Sequence, residues 1–148
     1  MREQTPIRPL EDYPSRTSAD IRYSDLDRQG HVNNAVFATF SEIGRVAFLY
    51  DPARPLAPEG ASFVIARLLI NFHAEVFWPG TVEIGTGVLT LGRSSMTLQQ
   101  GMFNSGRLVA SAEAVIVMLD GQTRRSMPLP PRTVEILRGL QLADRPQE

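Results

Sequence analysis

The 148-residue chain lacks cysteine and lysine, and it has only two histidines, His31 and His73. Without cysteine, it has no disulfide, no thiol nucleophile and no cysteine-ligated metal site. All fifteen basic residues are arginine, which excludes Schiff-base chemistry, a lysine general base and a P-loop phosphate site. Two histidines cannot form a three-histidine zinc site. We therefore expect neither a metal nor a resident cofactor.

Long apolar runs and a surplus of one charge are also absent. No segment approaches the roughly 20 apolar residues that span a bilayer, and residues 1–14 lack the apolar core of a signal peptide. We therefore expect no membrane span and a cytoplasmic protein. The formal net charge is −1, from sixteen acidic and fifteen basic residues. This balance argues against nucleic acid as a partner, since binding to phosphates needs a basic surplus.

The pattern of polar and apolar residues predicts one α+β domain. Residues 1–18 are predicted to form an irregular N-terminal arm, and residues 19–148 a single domain that begins with a short strand at 19–23. A helix is expected at 34–50, with Asn33 as its cap, and it is apolar over most of its circumference, which is typical of a buried helix. Four strands are expected to follow, at 62–72, 81–91, 95–103 and 107–119, with helical turns at 133–140.

Short turns between consecutive strands indicate an antiparallel sheet. A sheet of this kind hides one apolar helix by wrapping around it, so we expect a curved antiparallel sheet around a central helix. The remaining strand edges favour dimerisation.

The densest group of polar residues, 23–34, lies immediately before the predicted helix. Free backbone amides at a helix start carry partial positive charge and can hold an oxyanion. Asp27 and His31, four residues apart, supply a nucleophile or a general base beside those amides. Together these are the parts of an acyl-transfer or acyl-hydrolysis site.

The same segment carries a family resemblance. Residues 22–27 read RYSDLD and residues 30–34 read GHVNN, which resembles the opening motif of the hot-dog-fold thioesterases. That group includes 4-hydroxybenzoyl-CoA thioesterases, Tol-Pal-linked acyl-CoA thioesterases and plant acyl-ACP thioesterases. The similarity covers about residues 18–131. It implies the hot-dog fold and thioester hydrolysis.

The resemblance also implies roles for individual residues. Asp27 matches the catalytic carboxylate, which acts as nucleophile or as general base for water. His31 falls on the histidine of the plant enzymes, and the backbone amide of Asn34 matches the oxyanion donor. The positions implied to contact the substrate are Tyr23, Gln29 and, for the pantetheine arm, Ser94 and Ser95. The helix residue Phe37 is expected to lie in the wall that faces the acyl group.

We therefore expect the chain to hydrolyse an acyl thioester, most simply an acyl-CoA, with coenzyme A present only as part of the substrate. The expected assembly is a homodimer or a dimer-of-dimers tetramer. Two alternatives stay open: a hot-dog dehydratase or hydratase that acts on acyl thioesters, and a non-catalytic protein that binds them. The location of Asp27 and His31 in one turn favours hydrolysis.

Overall fold

The computed structural model describes residues 8–143. In this part of the chain, five strands form one sheet, and two α-helices and two short 3-10 helices accompany it. The 3-10 helices are Leu10–Asp12 and Tyr23–Asp25. The other elements are β1 (Ser15–Asp20), α1 (Val36–Leu49), β2 (Ala61–Phe72), β3 (Thr81–Leu91), β4 (Ser95–Asn104), β5 (Arg107–Asp120) and α2 (Pro131–Arg138).

The sheet has the strand order β1-β3-β4-β5-β2, and all of its pairings are antiparallel. Strands β3, β4 and β5 follow one another as hairpins, whereas β2 pairs with β5 and lies at the edge of the sheet. The segment between β2 and β3 therefore returns across the sheet and is not a tight hairpin turn. This segment, residues 73–80, passes beside the polar segment that precedes α1.

Helix α1 packs against the inner face of the curved sheet and contacts both edge strands, β1 and β2. The predicted wrapping of the sheet around a central helix is confirmed. Alternate residues of the strands face α1 and form two apolar clusters, one around Phe37 and Phe40 and the other around Phe48. The first cluster supports the start of the helix, where the candidate site lies.

The outer face of the sheet is covered by segments from both ends of the described chain. Gly85 lies on this face, and a Cβ there would stand 2.5 Å from the ring of Tyr13. Gly87 is covered in the same way by Leu142. The Arg8 side chain joins the two segments, since it donates to the Gln99 side chain and to the carbonyl of Ala143.

Two sequence expectations need correction. The first strand runs from Ser15 to Asp20 and not over 19–23, so it begins inside the segment assigned to the arm, and Tyr23 opens a 3-10 helix. Residues 1–7 of the predicted arm lie outside the described residues. Helix α1 has an exposed side as well as a buried one, with Val46 49% exposed, and Tyr50, which directly follows the helix, is 50% exposed. Among residues 8–143, no helix has the length and apolar character needed to cross a membrane.

Candidate active site

A short closed loop presents the carboxylate of Asp27. The Asp27 amide donates to the carbonyl of His31 at 2.9 Å, and the Gly30 amide donates to the carbonyl of Asp27 at 3.0 Å. Gly30 closes the turn with a φ of 84°, a conformation that glycine adopts without strain. The loop thus holds Asp27 and His31 side by side at its base.

This loop is fixed to the segment between β2 and β3. The Val32 amide donates to the carbonyl of Val76 at 2.7 Å, and His31 forms an isolated β-bridge with Phe77. Val32 and Val76 are both buried in the cluster at the start of α1. Backbone pairing and packing therefore set the position of the His31 ring relative to residues 73–80.

The predicted pair of catalytic side chains is brought together. Asp27 Oδ2 lies 3.5 Å from His31 Nδ1, and Asp27 Oδ1 accepts a 2.9 Å hydrogen bond from the amide of Gln29. The Asp27 side chain is 30% exposed and that of His31 is 21% exposed. Both groups are thus held in place and remain reachable from solvent.

A second carboxylate lies on the other side of the same imidazole. Glu75 Oε1 is 3.7 Å from His31 Nε2, and the Glu75 side chain is 67% exposed. Glu75 is not among the residues that the sequence predicts for the site, because it stands far from His31 along the chain. Only the pairing of the two loops brings them together.

The backbone at the start of α1 has one free donor. The Ala35 amide donates to Asn33 Oδ1 at 3.1 Å, and the Val36 amide donates to the Asn33 carbonyl at 2.9 Å. The Asn33 side chain thus accepts from an amide just before the helix, but Asn33 is not the N-cap that the sequence predicted, because the helix begins at Val36 and not at residue 34, with Ala35 as its N-cap residue. Within the described residues, the Asn34 amide donates to no protein group. It is available to a ligand.

The predicted substrate-contacting residues near this loop occupy different environments. Tyr23 is 74% exposed and packs edge-on against Trp78, with the ring centroids 5.6 Å apart. Gln29 is exposed, and its backbone amide donates a hydrogen bond to the Asp27 carboxylate. Phe37 is buried against Phe40 in the first apolar cluster.

Ser94 and Ser95 lie away from Asp27 within one chain. Ser95 begins β4, and it stands opposite Val117 of β5, which in turn stands opposite Val64 of β2. This end of the sheet packs around the second half of α1, whereas the Asp27 loop adjoins its first half. A single chain does not bring the two serines and Asp27 together.

A buried carboxylate, that of Asp25, lies beside the loop that presents Asp27. Burial raises the pKa of its carboxyl, but hydrogen bonds and charge from Arg22 outweigh this effect, so the net pKa lies below the ordinary value. The Arg22 amide, at 2.8 Å, and two guanidinium nitrogens of Arg22 donate to the Asp25 carboxylate.

In the described part of the chain, no cluster of three or more histidine, aspartate or glutamate side chains is arranged to hold a metal ion.

The sequence profile of the thioesterase-like superfamily matches residues 21–137, which include the whole of this site. The chain belongs to that superfamily. It is therefore an enzyme of the thioesterase class, and its fold is the hot-dog fold of the solved relatives.

Individual relatives of this thioesterase-like chain extend over most of its length. The acyl-CoA thioester hydrolase YbgC of Escherichia coli O157:H7 is 25% identical over 114 residues, which cover 74% of this chain and 85% of YbgC. A thioesterase from Thermus thermophilus, solved with coenzyme A and Zn, is 31% identical with a TM-score of 0.78, covering 92% of this chain and 100% of that one. The PA5185 protein of Pseudomonas aeruginosa PAO1 has a TM-score of 0.81 at 23% identity, covering 95% and 100% of the two chains.

Proposed function

We propose that this thioesterase-like chain hydrolyses an acyl-CoA thioester, with Asp27 as the general base for water. The observation that carries the proposal is the free amide of Asn34 at the start of α1, next to a loop that fixes Asp27 beside His31. An amide that is already oriented stabilises the oxyanion of an acyl-transfer transition state without reorganisation. The relatives named for acyl-CoA hydrolysis and for coenzyme A binding support this substrate class.

Atoms and charge balance in this reaction. A water oxygen bonds to the thioester carbonyl carbon while Asp27 takes one of the water protons, and the carbonyl oxygen gains negative charge beside the Asn34 amide. The carbon–sulfur bond then breaks, and the sulfur leaves with the electron pair and takes the proton. The products are a carboxylic acid and free coenzyme A thiol.

We further propose that two copies of the chain build each site. Strand β2 is an edge strand, and half-exposed apolar side chains lie along it and at the C-terminal end of α1, including Ile65, Phe72 and Tyr50. An unpaired strand edge beside exposed apolar residues favours pairing with another chain. The partner is thus a second copy joined through β2, and the assembly is a homodimer or a tetramer of two dimers.

Two-fold pairing of β2 with its copy has a direct consequence for the site. Antiparallel pairing places the Ala61 end of one β2 beside the Phe72 end of the other. Phe72 contacts Phe37 at the start of α1, and Ser95 lies at the Ala61 end of its own sheet. Ser94 and Ser95 of one copy therefore approach the Asp27 loop of the other, where they line the path of the pantetheine arm.

We place the reaction in the cytoplasm.

The proposal is tested by following thiol release from short-chain, long-chain and aromatic acyl-CoA substrates. The wild type is compared with Asp27→Asn, with the exposed Asp20→Asn as a matched control. We expect turnover by the wild type and by Asp20→Asn, and a loss of about 10²–10⁴-fold in kcat for Asp27→Asn. A folded Asp27→Asn variant with full activity would disprove the role of Asp27.

Two further measurements test the remaining parts. A single turnover in ¹⁸O-labelled water puts the label directly into the acid if Asp27 is a base. The label enters Asp27 first if Asp27 is a nucleophile whose anhydride with the acyl group is opened by water at the aspartyl carbon. Sedimentation of Ile65→Asp tests the dimer, since a charge on the paired edge is expected to give monomers without activity. A dimeric and active Ile65→Asp variant would contradict the β2 interface.

A further inference from the structure

The His31 imidazole stands between two carboxylates, with Asp27 Oδ2 3.5 Å from Nδ1 and Glu75 Oε1 3.7 Å from Nε2. Phe77 packs edge-on against the ring, with the centroids 6.1 Å apart. The three charged or ionisable side chains come from two loops that are joined by the backbone pairing of residues 31–32 with 76–77. The fold thus brings the three residues together, with the Glu75 side chain 67% exposed.

Only one nitrogen of a neutral imidazole carries a proton, and the partner of one nitrogen decides the state of the other. Each carboxylate favours a proton on the nitrogen that it faces. Once Asp27 has taken a proton from water, Glu75 is the remaining carboxylate, and it favours the tautomer with the proton on Nε2. The lone pair of Nδ1 then faces Asp27. This is the state in which His31 can accept a proton from Asp27.

We propose that Glu75 is a positioning residue that acts through His31. This inference rests on the proposed function, in which Asp27 takes a proton from water. Glu75 selects the Nε2–H tautomer, holds the ring towards Asp27 and stabilises the imidazolium that forms when the proton moves on from Asp27 to Nδ1. A carboxylate behind a catalytic imidazole orients the ring and stabilises its charged form in the same way in hydrolytic triads.

The proton balance involves no further reactant. Asp27 receives a proton during the attack of water and passes it to Nδ1 of His31, which becomes an imidazolium with a donor towards each carboxylate. As the carbon–sulfur bond breaks, the proton returns from Nδ1 through Asp27 to the leaving sulfur. His31 ends in its starting tautomer, and Glu75 stays ionised throughout.

The test measures kcat and KM for Glu75→Gln in the full-length protein with the best acyl-CoA substrate found. Glutamine keeps an acceptor oxygen and removes the charge. We expect kcat to fall about threefold to tenfold with KM unchanged, because the pair is partly exposed and partly screened. Glu59→Gln makes the same chemical change at an exposed loop position and is expected to match the wild type. Glu75→Asp is expected to recover part of the loss.

A double-mutant cycle with His31→Gln separates positioning from a structural effect. If Glu75 acts through His31, Glu75→Gln lowers kcat in the wild type and causes no further loss in the His31→Gln background. Equal losses in both backgrounds, or no loss in the wild type, would overturn the inference. Asp27→Asn distinguishes the two proposals: if it is inactive while Glu75→Gln is fully active, only the role of Glu75 fails, and if it is fully active, the proposed function fails.

Discussion

The Gln100 side chain on β4 is joined twice to Ser41 in the middle of α1, because it accepts from the serine hydroxyl and donates to the serine carbonyl at 2.9 Å. It also donates to the Thr86 hydroxyl of β3 at 3.1 Å, and Arg45 donates to the hydroxyl of Ser41. All four side chains are buried. This network fixes the position of α1 relative to strands β3 and β4.

Replacement of Gln100 by methionine should therefore destabilise the protein. The change keeps the approximate size of the side chain and leaves the Ser41 hydroxyl proton without an acceptor, which costs about 1–3 kcal/mol in the free energy of unfolding. Urea denaturation measures the loss. Ser41→Ala combined with Gln100→Met should cost less than the sum of the two single changes, because both partners are removed together. Additive losses would show that the two groups are not coupled.

Gly44 allows α1 to approach the sheet closely. A Cβ at this position would lie 2.5 Å from Ile84 Cγ2 and 2.7 Å from Gln100 Nε2. Gly44→Ala should lower the free energy of unfolding by about 1–3 kcal/mol because of overpacking, although alanine favours a helix by about 1 kcal/mol. Thermal unfolding tests this. Gly139→Ala is the control, since its Cβ meets only the Ile136 carbonyl oxygen at 3.4 Å and φ is −68°. A stabilised Gly44→Ala variant would contradict the close approach.

Asp25 should make the free energy of unfolding depend on pH in the acidic range. Its folded pKa lies below the unfolded value of about 3.8, so its contribution is present above that pH and is lost as the pH falls through the folded pKa. At neutral pH, Asp25→Asn should cost about 1–3 kcal/mol. Denaturation of both proteins at several pH values should show the difference shrinking below pH 3.8. A difference that is constant with pH would rule out the ion pair with Arg22 as its source.

Two substitutions at Asn34 separate the role of its backbone amide from the role of its side chain. Asn34→Pro lacks the N–H and should lower kcat about 10²–10³-fold if that donor holds the oxyanion. Asn34→Ala keeps the amide and should stay close to the wild type. Ala35→Pro is a backbone control, since that amide already bonds to Asn33 and its φ of −65° suits proline. Thiol release and circular dichroism report activity and fold, and an active Asn34→Pro variant would exclude this donor.

The sequence predicted the elements that have a local signal. The alternation of polar and apolar residues predicts β3 over 81–91, as the structure has it. The apolar residues of α1 predict that this helix is the segment that the sheet encloses. Asp27 and His31 could be paired because they share one turn. The predicted start of the first strand lies too far along the chain, since Ser15–Ala19 has few apolar residues and the pairing of this segment with β3 decides its structure.

The features missed by sequence reasoning depend on contacts between distant segments. Glu75 reaches His31 only because residues 73–80 pair with the Asp27 loop. Tyr13 is buried only because Gly85 leaves room for its ring. Neither contact leaves a periodic pattern in the sequence, so both had to come from the structure.

Arg8 and Ala143 meet over the outer face of the sheet, so the two ends of the described fold lie within the reach of one side chain. A short linker could join these ends without crossing the enclosed helix or the Asp27 loop. The chain could then be opened in the tight turn between β4 and β5, at Ser105 and Gly106, where a Cβ on the glycine would meet nothing within 4 Å. We therefore expect a chain that is circularly permuted at this turn to keep the same order of strands in the sheet.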